Sequence, residues 1–448
     1  MKLKLMMGVV AVAAAGGIAL SLISADQAHA QATGTEPQGQ KPSIKAAGAQ
    51  RGTAATSPAI ERGRYIATAS DCIACHTPHQ NKQPFSGGYA LETPFGKIIA
   101  SNITMDKETG IGNWSEAEFA RAVRQGKGKR GQNLYPAMPY NAYVKLSDAD
   151  MHDLWMFMQT VKPVRNKVED TSLPFPFNIR LLMSGWNLLF FDNAPFKPDA
   201  SKSPEWNRGA YLVLGAGHCA SCHTGKNFLG GDKSDFLQGG VLAGWYAPEI
   251  TGNPYVGIGG WSQEQLVQYL KIGSNDVAVA AGPMAEAVSN STQYMSNSDL
   301  KAIAVYLKDL PGSTLAKPAP LGAADTRMVR GRHVYEANCA ACHDFNGKGV
   351  GTMVSALANS PGIQAPYADS LMRTVLVGDR GAVTLGNPTG AAMPAFGWKL
   401  SDADIADVLT YVRNSWSNAA PAVKQEQVTK ARGELKTAPP VFSSTAGH

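Results

Sequence analysis

A chain of 448 residues is too long for one ordinary core and predicts about three domains at roughly 150 residues each. Its formal charge of +6, spread over that length, points away from nucleic acid as a partner. Beyond the N-terminus no segment has the apolar length to span a bilayer, so the mature protein is expected to be soluble or to lie on a membrane rather than across it.

Residues 1–30 open with Lys2 and Lys4, continue apolar from Leu5 to Ile23 and end on Ala28-His29-Ala30. That pattern predicts a secretory signal peptide cut after Ala30; a retained anchor is the alternative, disfavoured by the short stretch and its break at Gly16-Gly17. Residues 31–58 are rich in Gln, Gly and Ala and read as a flexible linker.

The first module, residues 59–166, begins Arg62-Gly63-Arg64-Tyr65 and reaches Cys72-Ile-Ala-Cys75-His76. It continues through Gly-Ile-Gly-Asn-Trp114-Ser to Tyr135-Pro-Ala-Met138-Pro139 and a helix start at Ser147-Asp-Ala-Asp150. A linker at 167–203 holds Ile179-Arg-Leu-Leu-Met-Ser-Gly-Trp-Asn-Leu-Leu-Phe-Phe191, apolar and too short to span. It is expected to pack between modules as core, or to dock on a partner, dip into a membrane interface or line a quinone path.

The second module, residues 204–312, repeats the order. Arg208-Gly209-Ala210-Tyr211 precedes Cys219-Ala-Ser-Cys222-His223, then come Gly-Ile-Gly-Gly-Trp261-Ser, Gly-Pro-Met284-Ala285 and Ser296-Asn-Ser-Asp299. After an Ala/Pro/Gly-rich linker at 313–326, the third module, residues 327–417, has Arg330-Gly331, Cys339-Ala-Ala-Cys342-His343, Met393-Pro394 and Ser401-Asp-Ala-Asp404. Residues 418–448 read as a polar tail without assignable chemistry.

The three repeats carry the sequence's clearest signal. All six cysteines fall in Cys-x-x-Cys-His motifs, the spacing of c-type haem attachment. Two thiols three residues apart on one helical turn reach the two vinyl groups of one porphyrin, and the following His lies beneath the iron. A thioredoxin-like dithiol would need a βαβ setting, and zinc a second ligand pair at finger-like spacing; neither is present. The expectation is three covalently bound haem c groups, on Cys72/Cys75, Cys219/Cys222 and Cys339/Cys342, with His76, His223 and His343 as proximal ligands.

Electron-transfer haems usually take Met as sixth ligand, because a thioether raises the potential. Met138, Met284 and Met393 follow their motif histidines by 62, 61 and 50 residues, each placed in a Gly/Pro/Ala-rich loop before a helix. Against them stands the ordinary use of Met as core filler. Met295 is a rival to Met284 but abuts the next helix start. In each module the Ser opening the last helix is expected to cap it, answered by the Asp three residues on. Gly63, Gly209 and Gly331 are expected to let the first helix of each module approach the last closely. Little strand signal appears, so each module reads as a small all-α bundle. His218 is expected at solvent or a haem edge, and His152 and His333 in packing.

RYIATASDCIACHT, NITMDKETGIGNWS, YPAMPY, GHCASCHT and GPMAEAVSNSTQYMSNSDLKAIAVYLK together make residues 59–417 resemble the triheme cytochrome c subunit of membrane-bound dehydrogenases of acetic acid bacteria and relatives. The resemblance implies a mainly α fold of three tandem class I cytochrome c domains. It implies the haem ligands named above and an electron-transfer subunit at the periplasmic face of the bacterial inner membrane, peripherally attached. The implied partner is a large catalytic subunit of pyrroloquinoline quinone, flavin or molybdenum cofactor type that oxidises an alcohol, aldehyde or sugar acid. Membrane ubiquinone is the implied acceptor. NIRLLMSGWNLLFF leans toward the aldehyde dehydrogenase branch. The alternatives are a free-standing periplasmic multihaem shuttle and a haem enzyme with an open second-domain haem.

Overall fold

The computed structural model describes residues 57–78, 82–242 and 244–436. The expected signal peptide and nearly all of the 31–58 linker lie outside them. Residues 58–158 form α1 (Pro58–Ala69), α2 (Cys72–His76), the antiparallel hairpin β1 (Ala90–Thr93) and β2 (Gly96–Ile99), α3 (Glu116–Gln125), α4 (Tyr140–Tyr143) and α5 (Asp148–Met158). A separate helix, α6 (Leu182–Phe190), follows. The order then recurs in α7 (Pro204–Leu214), α8 (Ala220–His223), the hairpin β3 (Gly240–Leu242) and β4 (Trp245–Ala247), α9 (Gln263–Ile272), α10 (Gly282–Asn290) and α11 (Asn297–Asp309). The last third holds α12 (Thr326–Asn338), α13 (Ala340–His343), α14 (Pro361–Gln364), α15 (Asp369–Val377), the pair β5 (Asp379–Arg380) and β6 (Ala392–Met393), α16 (Asp402–Val412) and α17 (Gln425–Leu435).

The chain is thus mainly helical, but the all-α expectation needs amendment: each third carries one two-stranded hairpin. Strands of two to four residues are too short to show the alternation by which a strand is read from sequence. The polar-tail reading is amended as well. Residues 425–435 form α17, whose Val428 is fully buried and whose Arg432 pairs with Asp402 of α16 at 2.6 Å.

Three helix pairs make the framework: α1 with α5, α7 with α11, and α12 with α16. Glycine is required at each crossing, as expected. A Cβ on Gly63, Gly209 or Gly331 would overlap the backbone carbonyl of Asp153, Ala302 or Asp407 respectively. Next to each glycine an arginine clamps the pair: Arg62 to Asp153 at 2.6 Å, Arg208 to Asp299 at 2.7 Å and Arg330 to Asp407 at 2.5 Å. The carboxylate partners are largely buried, so each clamp is worth more than a surface ion pair.

Ser147, Ser296 and Ser401 each accept the backbone N–H three residues on at 3.1 Å, capping α5, α11 and α16. Only Asp404 answers its serine, accepting the Ser401 N–H at 3.1 Å. Asp150 and Asp299 instead receive tyrosines from the other repeat. Tyr65 of α1 donates to Asp299 at 2.5 Å, and Tyr211 of α7 donates to Asp150. Each hydroxyl also accepts the cap N–H of the helix it reaches, Ser296 at 3.2 Å and Ser147 at 2.9 Å. The first two repeats therefore meet through a reciprocal exchange, and their buried side chains form one continuous cluster. The third repeat has its own.

Helix α6 touches both of the first two repeats, Trp186 packing on Tyr140 and donating to the Leu229 carbonyl at 3.0 Å, but adds little to the core. Trp186 alone of its side chains is buried, while Leu188 is 87% and Leu189 67% exposed.

Candidate functional site

In the first repeat α2 places Cys72, Cys75 and His76 on a single turn; Cys219 to His223 and Cys339 to His343 form matching turns at α8 and α13. All six thiols are free. Burial pushes Cys72 and Cys219 up to about 12 and Cys75 and Cys339 up to about 11, so these four are neutral thiols. A redox-active dithiol or a metal thiolate needs the opposite shift. Among the described residues no three His, Cys, Asp or Glu side chains converge as a metal site.

The histidines show what the turns are built for. His76 Nδ1 lies 2.7 Å from the Ser101 carbonyl, His223 Nδ1 2.7 Å from the Pro248 carbonyl and His343 Nδ1 3.2 Å from the Ser355 carbonyl. A carbonyl can only accept, so each Nδ1 carries the proton and donates it. Burial holds all three rings below the ordinary imidazole range, against the opposing pull of those carbonyls. Each ring is thus a neutral imidazole with its Nε2 lone pair free and its orientation set from behind, the arrangement that makes histidine a metal ligand. Two unpaired thiols and such an imidazole on one turn fit a covalently attached haem.

The three methionines are partly buried and occupy different settings. Met138 lies in the turn before α4, in the expected Pro/Ala-rich loop. Met284 departs from expectation: it is in the first turn of α10, packed near the small apolar cluster of Ala280, Ala285, Val288 and Ala382. Met393 is the last residue of β6 and pairs with Asp379. The rival Met295 is 2% exposed and belongs to the shared core of the first two repeats.

Sequence reasoning missed the carbonyl acceptors of Ser101, Pro248 and Ser355, because a main-chain oxygen leaves no side-chain signature. It also placed His152 and His333 in packing, where the structure exposes them. His218 sits at the contact of the first two repeats, its ring edge-on to Tyr143 at 5.7 Å. His152 is at the surface beside Glu116 at 2.9 Å, and His333 is exposed. The first two motifs are neighbours: His218, directly before Cys219, has its Nε2 3.4 Å from the carbonyl of Ser70, two residues before Cys72.

The cytochrome c family model matches residues 60–162 and 328–416. The cytochrome c subunit of gluconate 2-dehydrogenase from Pantoea cypripedii is 39% identical over 384 residues, 81% of this chain and 87% of the relative. The cytochrome subunit of fructose dehydrogenase from Gluconobacter japonicus is 39% identical over 414 residues, 85% of this chain and 84% of the relative. The cytochrome c subunit of the quinone alcohol dehydrogenase from Gluconobacter oxydans is 39% identical over 425 residues, 89% and 86%. Haem-competent turns in a helical chain and this likeness along most of its length agree: the chain belongs to the family of cytochrome c subunits of dehydrogenases, whose cofactor is covalently bound haem c.

Proposed function

We propose that the chain binds three haem c groups and carries electrons from a large catalytic dehydrogenase subunit to membrane ubiquinone. The observation that carries this reading is the threefold recurrence of a Cys-x-x-Cys-His turn whose histidine gives its Nδ1 proton to a backbone carbonyl. Cys72 and Cys75, Cys219 and Cys222, and Cys339 and Cys342 form the thioethers. His76, His223 and His343 are the proximal ligands, and Met138, Met284 and Met393 the distal ones, in three tandem cytochrome c domains. Bound haem supplies a reversible one-electron iron couple. The chain's own side chains hold that couple six-coordinate, exclude substrates from it and set its potential.

The relatives named for gluconate, fructose and alcohol are equally similar to this chain, which supports a substrate choice made by the catalytic partner, of quinone, flavin or molybdenum cofactor type. Export by the signal peptide places the complex at the periplasmic face of the inner membrane. No described helix is long and apolar enough to cross a membrane. The exposed leucines of α6, with Phe175 80% and Phe228 87% exposed, support attachment to the membrane surface.

Purification of the chain from detergent-extracted native membranes tests this reading. The expected result is a mass and haem-stain stoichiometry of three haems per chain, a co-purifying dehydrogenase subunit, and substrate-driven ubiquinone reduction. A chain carrying fewer haems, or one that never reduces quinone with its partner, overturns it.

A further inference from the structure

The first two repeats align residue for residue around the proximal histidine, and the alignment exposes one substitution of charge at a buried position. Ser101 and Pro248 supply the acceptor carbonyls, and Thr104 and Thr251 lie three residues further on. Both threonine carbonyls accept the N–H of the isoleucine in the Gly-Ile-Gly turn, Ile111 at 2.8 Å and Ile258 at 3.0 Å. Between them, directly after the acceptor carbonyl, stands Asn102 in the first repeat and Glu249 in the second; each is 3% exposed. In the third repeat that place belongs to Ala356.

Asn102 works as a neutral clasp. Its amide donates to the Val164 carbonyl at 2.8 Å and its carbonyl accepts the Thr104 N–H at 2.9 Å. Glu249 clasps the matching segment with a carboxylate that accepts the Ser313 N–H at 2.9 Å, the Ser313 hydroxyl at 2.6 Å and the Thr251 hydroxyl. The Ser313 N–H can only donate and both hydroxyls can do so, a set that suits an ionised carboxylate. Among the described residues no cation pairs with it. The carboxylate is therefore buried one residue from the group that orients His223, where low dielectric leaves the field of a charge poorly screened.

We propose that Glu249 is a positioning and tuning residue of the second haem site: it holds the Pro248 carbonyl on His223 and lowers that haem's reduction potential relative to a neutral residue in its place. A nearby negative charge favours the more positive iron state, Fe(III). At the matching position the first and third repeats carry the uncharged Asn102 and Ala356. The chain thereby separates the potentials of haems held by near-identical turns. The inference rests on the three-haem reading.

Spectroelectrochemical titration of the full-length haem-loaded chain tests it. In Glu249→Gln, one of three midpoints rises by about tenfold in its reduction equilibrium constant, or about 59 mV for a one-electron couple, and the other two stay. Ser313→Ala loosens the clasp but keeps the charge, and leaves all three midpoints in place. If Glu249→Gln does not accumulate, Asn102→Asp decides, with a downward shift of one midpoint expected. Three haems with unchanged midpoints in the deciding variant overturn the proposal alone, as does an equal rise in Ser313→Ala. A haem count of two in the unaltered chain overturns the three-haem reading and the proposal with it.

Discussion

Two proposed ligands have surroundings that differ from the loop their sequence suggested: Met393 ends strand β6, and Met284 lies in a helix. It sits on the first turn of α10 rather than in a free loop. Its thioether is expected to favour Fe(II), so removing it lowers the potential. In Met284→Ala the second haem remains attached through Cys219 and Cys222, loses its Met-to-iron charge-transfer band, and falls by at least roughly tenfold in its reduction equilibrium constant. Optical titration measures both, and an unchanged band and potential assign the sixth position to another group. The three Cys-x-x-Cys-His turns were legible from spacing alone, because each is a local run of residues in fixed order. The carbonyls behind the histidines were not, since any residue supplies one.

Helix pairing depends on a few positions that can be read and some that cannot. Gly209 meets the Ala302 carbonyl so closely that a methyl group forces α7 away from α11. Overpacking of this kind costs about 1–3 kcal/mol, and Gly209→Ala is expected to lose at least that much in denaturant unfolding. The tyrosine exchange between the first two repeats was hidden, because it joins residues 234 and 61 positions apart. Tyr65→Phe is expected to cost about 1–3 kcal/mol by leaving a largely buried carboxylate one donor short. Burial pushes Asp299 up, but Arg208 and the Tyr65 hydroxyl outweigh it and hold the group below the ordinary carboxylate range. A depressed folded value means this stabilisation is complete above about pH 4, the ordinary aspartate value, and is lost as pH falls through the folded one. Unfolding profiles against pH should show the first two repeats weakening below about pH 4, and less steeply in Tyr65→Phe.

Across the whole chain, two features set how it meets other bodies. The first two repeats share a core and the third keeps its own, joined to the second by contacts such as the Ala382 N–H on the Ala280 carbonyl at 3.2 Å and Arg373 stacked 5.0 Å from the Trp245 ring centre. The other is α6, which buries Trp186 and turns leucines outward. If these leucines enter a membrane interface, Leu188 and Leu189 together contribute roughly 3 kcal/mol or more. Changing both to Gln is then expected to weaken vesicle co-sedimentation about 100-fold while leaving the haem spectrum unchanged. Undiminished sedimentation assigns attachment to another surface.

The helical character of the chain, the recurring Cys-x-x-Cys-His turns and the glycines at the helix crossings were readable along the chain, because each depends on local spacing or on a motif that recurs. The short hairpins, the packed helix Gln425–Leu435, the outward face of α6 and the diversion of Asp150 and Asp299 to tyrosines of the opposite repeat were not. Those depend on which surfaces meet, and burial and pairing between distant segments leave no periodic trace in the order of residues. Glu249 stands between the two cases: its letter is visible, yet only the fold shows that it lies buried beside the carbonyl that orients His223.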